Sequence, residues 1–256
     1  MHVDPIGTAQ KTGDTAGMSN TLGIMQPYFF PYLGYFQLIA SVERGVLFDT
    51  AQYGRKSWMN RNRILDGKGG WQYINVPVNT TLGTSIQATA VIDHKAALQR
   101  ILGQLELYRR KAPFYRQVTE MVREAFSAVT GRGLSELNAQ SLRVVCERLG
   151  LNFGWKPLSA MDLPLPPIEH PGQWALEISS MLGARCYINA PGGREIFVAS
   201  EWKERGIELR FLDLTTFTYT TEPYPFVGNL SILDVLMWNE PGQVMQYIRE
   251  QTRVAC

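Results

Sequence analysis

Polar side chains able to make directed contacts crowd into residues 24–63. Gln26 follows a short apolar run and precedes Pro27-Tyr28-Phe29-Phe30-Pro31-Tyr32, and Asp49 closes a second apolar run, Gly45 to Phe48. Gln52 follows, and then Trp58-Met59-Asn60-Arg61-Asn62-Arg63, where two carboxamides alternate with two guanidinium groups. Forked guanidinium donors and carboxamides suit planar anions and polyhydroxylated ligands, because each offers several hydrogen bonds of fixed direction. The binding candidates in this stretch are therefore Gln26, Tyr28, Tyr35, Gln52, Trp58, Asn60, Arg61, Asn62 and Arg63. A solvated surface turn is the plainer reading of the arginine stretch. Asp49 stands where a carboxylate could accept a ligand proton, and equally where it could pair with Arg61 or Arg63. The aromatic residues of 28–36 read first as core and pocket wall, and second as a surface for stacking a sugar or base.

A second candidate is the turn Pro191-Gly192-Gly193-Arg194, between an apolar run at Cys186 to Ile188 and a helical stretch. A strand, a glycine pair and a helix start expose backbone N–H groups to an anion, and a plain tight turn fits the same residues equally well. Acid–base groups are few, since His2, His94 and His170 are the three histidines. His94 at a helix start and His170 in a proline-rich run are possible acid–base groups, and His94 joins Asp49 as a catalytic candidate. His94 reads more readily as an ordinary helix-start residue. No Gly-x-Ser-x-Gly elbow recommends a serine nucleophile. Cys146, Cys186 and Cys256 have neither zinc spacing nor the pairing of a disulfide frame, so no metal site is expected.

The elements that must position these groups alternate strand and helix. Leu22 to Met25 reads as a buried strand, Gly34 opens a helix to about Ser41, and Gly45 to Phe48 is the next strand. Such a βαβ unit predicts an α/β, Rossmann-like, mostly parallel sheet that binds ligands beyond its strand ends, where Gln26 and Asp49 sit. Strands are expected at 71–78, 86–92, 153–158, 186–188 and 207–212. Helices are expected at 173–182, 195–205, 232–238 and 242–250. Three more helices, with Ser135 and Asn138 at the start of the last and Gly150 as its stop, make a helical block or insertion at about 94–150. Residues 1–21 read as a disordered leader, and 22–256 as a single domain.

An apolar fraction of 45%, a charged fraction of 19% and a net charge of +2 describe a globular chain. They favour neither nucleic acid nor an anionic membrane as partner. With no long apolar run and no signal peptide, the expected location is the cytoplasm.

The chain resembles the WbqC-like protein family. The likeness rests on Gln26-Pro-Tyr-Phe-Phe-Pro-Tyr-Leu-Gly-Tyr-Phe36, Phe48-Asp49 with Gln52-Tyr53, Trp58-Met-Asn-Arg-Asn-Arg63, Tyr187 to Arg194, and Leu230-Ser-Ile-Leu-Asp-Val-Leu-Met-Trp-Asn239. Two positions depart from the family: Thr50 replaces a second acidic residue, and Asn189-Ala190 replaces a Ser-Gly turn. The family is associated with O-antigen, lipopolysaccharide and secondary-metabolite biosynthesis. The resemblance implies a cytoplasmic protein that handles a small polar metabolite, with no resident cofactor identified beyond a nucleotide or acyl donor. On that footing the expected activity is transfer of an acyl or aminoacyl group to an amino group of a nucleotide-linked sugar or similar acceptor. Arg61, Arg63 and Arg194 would hold anionic groups, Gln26, Asn60 and Asn62 would orient the acceptor, and Asp49 would take the proton. Nucleotide-dependent ligation or nucleotidyl transfer is the first alternative, and a non-catalytic scaffold the second. The start of the chain is also similar to nucleotidylyltransferase-like Rossmann enzymes, but Leu33 and Tyr35 flank Gly34 where those enzymes carry paired histidines.

Overall fold

A computed structural model of the protein describes residues 20–255, so the expected leader lies outside the described residues except for its last two positions. Its central sheet begins with β1 (Thr21–Met25), α1 (Leu33–Ser41) and β2 (Arg44–Leu47), the expected βαβ unit. A hairpin follows, β3 (Arg61–Leu65) and β4 (Trp71–Asn75), and then the short pair β5 (Val78–Asn79) and β6 (Ala90–Val91). Three helices occupy the expected helical block: α2 (His94–Leu105), α3 (Tyr115–Ser127) and α4 (Leu134–Leu149). The chain returns to the sheet as β7 (Lys156–Pro157), then runs through α5 (Gln173–Met181), β8 (Cys186–Asn189), α6 (Ala199–Glu204) and β9 (Glu208–Asp213). It ends in α7 (Ile232–Trp238), α8 (Pro241–Gln251) and β10 (Arg253–Ala255).

The six-stranded sheet has the order β10-β9-β8-β1-β2-β7, parallel throughout except for the β9–β10 pair. Every residue of β1 is buried, as a central strand covered on both faces requires. The period-two alternation of strands divides the apolar side chains between two cores. Leu22, Ile24, Val46 and Tyr187 pack with α5 and Trp202 of α6, whereas Met25, Leu47 and Ile188 join α1 and the helical block in the larger core. Glycine permits one further close approach. Gly23 and Gly45 are register partners, and the Trp155 ring lies so flat on them that a Cβ at Gly45 would stand 1.9 Å from two ring carbons.

Several expected elements are shorter or different, for physical reasons. In place of the strand 86–92, Ser85 and Thr89 close a turn: Thr89 Oγ1 donates to the Ser85 carbonyl at 2.9 Å, and only Ala90 and Val91 remain extended in the ladder. Pro77 has no N–H to donate, and strand 71–78 breaks there into β4 and β5. The expected strand 153–158 shrinks to two residues because Trp155 is committed to the glycine pair. Phe197 packs edgewise on Tyr187 and Trp202, with ring centroids 5.8 and 5.7 Å away, which holds it extended and delays the helix expected from 195 to Ala199. Arg61 to Arg63, expected in a loop, belong to β3 and pair with β4. Gly133 is the N-cap of α4, and Ser135 lies inside its first turn. Gly150, in the left-handed conformation at φ 68°, ends α4 as expected, and Ser231 caps α7 by accepting the Leu233 N–H at 3.2 Å. Among the described residues, no helix is long and apolar enough to cross a membrane.

Candidate functional site

From β1 the chain passes through α1 to β2 on one side; from β8 it passes through α6 to β9 on the other. Strand order therefore reverses between β1 and β8, and open α/β sheets bind ligands at the carboxyl ends of strands at such a point. A cleft of about 830 Å³ lies there, lined by Gln26 just beyond β1 and Asn189 at the end of β8, by Tyr28, Tyr32, Tyr35, Trp58 and Trp174, and by His170, Gly192 and Gly193.

The floor of the cleft is the loop 26–32, and buried polar side chains lock it. Asn62 Nδ2 donates to the Phe29 and Phe30 carbonyls at 3.1 and 2.9 Å. Asn138 Nδ2 donates to the Pro27 and Met59 carbonyls at 2.8 and 2.7 Å. Ser141 Oγ accepts the Phe30 N–H at 3.3 Å, and Ser231 Oγ donates to the Phe30 carbonyl at 2.7 Å. Phe30 has φ 39°, a left-handed conformation that costs a non-glycine residue energy, and these bonds hold it there.

Two tyrosine–carboxamide pairs, each spaced i and i+2, end the adjoining strands. The Tyr28 hydroxyl donates to Gln26 Oε1 at 3.1 Å, and the Tyr187 hydroxyl donates to Asn189 Oδ1 at 3.2 Å. With its oxygen engaged, each amide has its NH₂ left to offer as a donor. Burial raises the pKa of Tyr28, Tyr32, Tyr35 and Tyr187, so all four phenols stay protonated and can donate at neutral pH. Tyr35 also stacks on Tyr28 with centroids 5.1 Å apart and donates to the Gln26 carbonyl at 3.3 Å. Glycine serves this wall twice: a Cβ at Gly34 would stand 2.4 Å from the Tyr32 ring, and one at Gly193 would stand 2.3 Å from Asn189 Nδ2.

The other rim carries a histidine paired with a carboxylate. His170 Nε2 lies 3.0 Å from both carboxylate oxygens of Glu201, which leaves Nδ1 unshared when the tautomer carries its proton on Nε2. The two segments also meet through backbone. Gly172 approaches Ile196 so closely that a Cβ would lie 2.1 Å from the Ile196 carbonyl oxygen.

The remaining candidates lie elsewhere. Asp49 is 2% exposed and accepts the Ser159 N–H at 3.0 Å, the Ser159 hydroxyl at 2.6 Å and the Ser135 hydroxyl at 3.2 Å. It ties β2 to the helical block and to the segment after β7, and neither Arg61 nor Arg63 pairs with it. His94 packs on Phe126 at 6.1 Å with both ring nitrogens unbonded, and burial lowers its pKa; it does not line the cleft. Gln52 is exposed in an isolated bridge to Ser85. Asn60 donates to the Val76 carbonyl at 2.9 Å, and the Arg61 guanidinium lies 4.1 Å above the Tyr73 ring. Arg194 lies 4.1 Å above the Phe211 ring, outside the cleft lining. Of the arginine stretch, Trp58 alone lines the cleft.

A model of the WbqC-like protein family matches residues 26–246. The chain belongs to this family. The WbqC-like match spans both tyrosine–carboxamide pairs and the His170–Glu201 pair. The chain is also similar to the uncharacterized protein Rv1507c of Mycobacterium tuberculosis (strain ATCC 25618 / H37Rv), with 25% identity over 231 residues, 89% of this chain and 97% of the relative. No solved structure gives a significant match.

Sequence reasoning reached Gln26, Tyr28, Tyr35, Trp58 and the two glycines of the cleft. It did not reach Asn189 as a donor, nor the Glu201 partner of His170. Tyr28 and Gln26, like Tyr187 and Asn189, stand two apart at a strand end, and that repeated spacing was the available signal.

Proposed function

We propose that this WbqC-like protein is a transferase that moves an acyl or aminoacyl group to an amino group of a nucleotide-linked sugar or similar polar acceptor. One observation carries the reading: two carboxamides with their oxygens held by tyrosines share a single cleft with a carboxylate-backed histidine. The carboxamide N–H groups of Gln26 and Asn189 would hold the acyl oxygen of the donor and stabilise the charge that gathers on it during attack. His170 would accept the proton of the attacking amine at Nδ1, with Glu201 stabilising the imidazolium. The new C–N bond forms as the bond from the acyl carbon to the donor's leaving group breaks, and the proton held by His170 passes to that leaving group. Tyr28, Tyr32, Trp58 and Trp174 would supply stacking faces for the sugar or base. Asp49, with its oxygens given to two serines, is a structural clamp in this mechanism.

Nucleotide-linked amino sugars incubated with acyl or aminoacyl thioesters, read by mass spectrometry for the acylated sugar, test the proposal. Product from one donor–acceptor pair, reduced by Gln26→Leu and by Asn189→Leu, is the expected result. Absence of product from every pair, together with no rise in thermal midpoint for any of these ligands, would overturn it.

A further inference from the structure

A second cavity, of about 290 Å³, adjoins the cleft and shares Tyr28, Tyr32 and Trp58 with it, while Arg63 and Asn229 line it beyond those rings. The Arg63 guanidinium is held against two indoles, 5.3 Å from the Trp58 ring and 5.1 Å from the Trp71 ring. It has five N–H donors. Protein gives it one acceptor, the Asn229 carbonyl at 3.2 Å from Nη2, and Nε has none. Among the described residues, no carboxylate pairs with Arg63, whereas Arg109, Arg143, Arg205 and Arg210 all form ion pairs. A permanent cation on aromatic faces, with no counter-ion and with donors to spare, calls for an anion. The rings between it and the cleft offer a face to a flat heterocycle.

We propose that this cavity is the phosphate subsite for a nucleoside-phosphate ligand, with Arg63 as the counter-charge and the Tyr28–Tyr32–Trp58 ridge as the surface that its base stacks on. The inference rests on the cleft being the ligand site, as in the proposed function, and does not depend on the transfer chemistry. The nucleotide thus occupies the ridge and the Arg63 cavity, beside the larger space that Gln26, Asn189 and His170 line.

Isothermal titration of the four ribonucleoside diphosphates and their parent nucleosides into the full chain tests this. At least one diphosphate is expected to bind tenfold or more tightly than its nucleoside, with the gap narrowing as salt rises. Arg63→Met should abolish that gap, Arg63→Lys should retain part of it, and Arg249→Met, on an exposed face of α8, should leave it intact. Circular dichroism checks that each variant is folded, and the Lys variant keeps the test open if the Met variant is not. The titration uses no acyl donor and needs no turnover, so a failure of the transfer chemistry leaves this result standing. Equal binding of diphosphate and nucleoside, no diphosphate binding, or a gap that survives in folded Arg63→Met or is fully kept in Arg63→Lys would overturn the inference.

Discussion

Replacing Asn62 with alanine separates a structural role from a ligand-contact role at this position. Asn62 is 4% exposed, and its amide nitrogen serves the Phe29 and Phe30 carbonyls while its oxygen accepts the Arg63 N–H at 2.8 Å. After truncation the Phe30 carbonyl keeps the Ser231 hydroxyl, so that loss is one ordinary bond, about 1 kcal/mol. The Phe29 carbonyl loses its side-chain donor, at about 1–3 kcal/mol if nothing replaces it, and the Phe30 backbone loses part of what holds it at positive φ. The expected destabilisation is about 2–4 kcal/mol, or a thermal midpoint lower by roughly 4–16 °C for a chain of this size. Urea unfolding of the ligand-free protein, with the midpoint and slope fitted together, measures it. A loss below about 0.5 kcal/mol, smaller than one ordinary hydrogen bond, would refute the claim that Asn62 locks the cleft floor. A ligand contact would show the opposite pattern: unchanged stability without ligand and a lost ligand-induced shift.

Three further outcomes follow from the packing. Gly45→Ala should destabilise the protein by about 2–3 kcal/mol in the same unfolding assay, because its Cβ would meet the Trp155 ring at 1.9 Å and neither strand nor ring can yield freely. Gly193→Ala should leave the thermal midpoint unchanged but weaken ligand-induced stabilisation, since the group it displaces is the far end of the Asn189 side chain rather than backbone. Asp234 gives a pH signature. Burial raises its carboxyl from 3.8 to about 6 although the Tyr108 and Tyr219 hydroxyls donate to it, each at 2.6 Å. The folded state therefore holds this proton more tightly than the unfolded chain does. Its contribution is full below about pH 4 and is lost as pH rises through about 6. Relative to Asp234→Asn, wild-type stability should fall by about 2–3 kcal/mol between pH 4 and pH 7, as measured by urea unfolding across that range.

Local signals carried much of the fold. The apolar run before Gln26, the glycine before a helical face, and the stop at Gly150 all depend on neighbours within a few residues. The roles of Asp49 and Asn62 depend on distant ones. Ser159 is 110 residues from Asp49, and Phe29 is 33 residues from Asn62. A carboxylate and a carboxamide near strand ends look like ligand groups until those partners turn them inward. The same holds for Trp155, whose glycine bed is set by strand register. His170 was visible as one of few histidines, but its meaning rests on Glu201, 31 residues further along and across the cleft rim.

The most direct test of the account is the transfer rate of His170→Ala beside that of Asp49→Asn, with the donor–acceptor pair that gives product. The account predicts that His170→Ala, with its thermal midpoint unchanged, loses on the order of 10²–10⁴-fold in rate. It predicts that Asp49→Asn, although less stable, keeps wild-type turnover per folded molecule. A His170→Ala protein that turns over at the wild-type rate, or a folded Asp49→Asn protein that does not turn over, would contradict it.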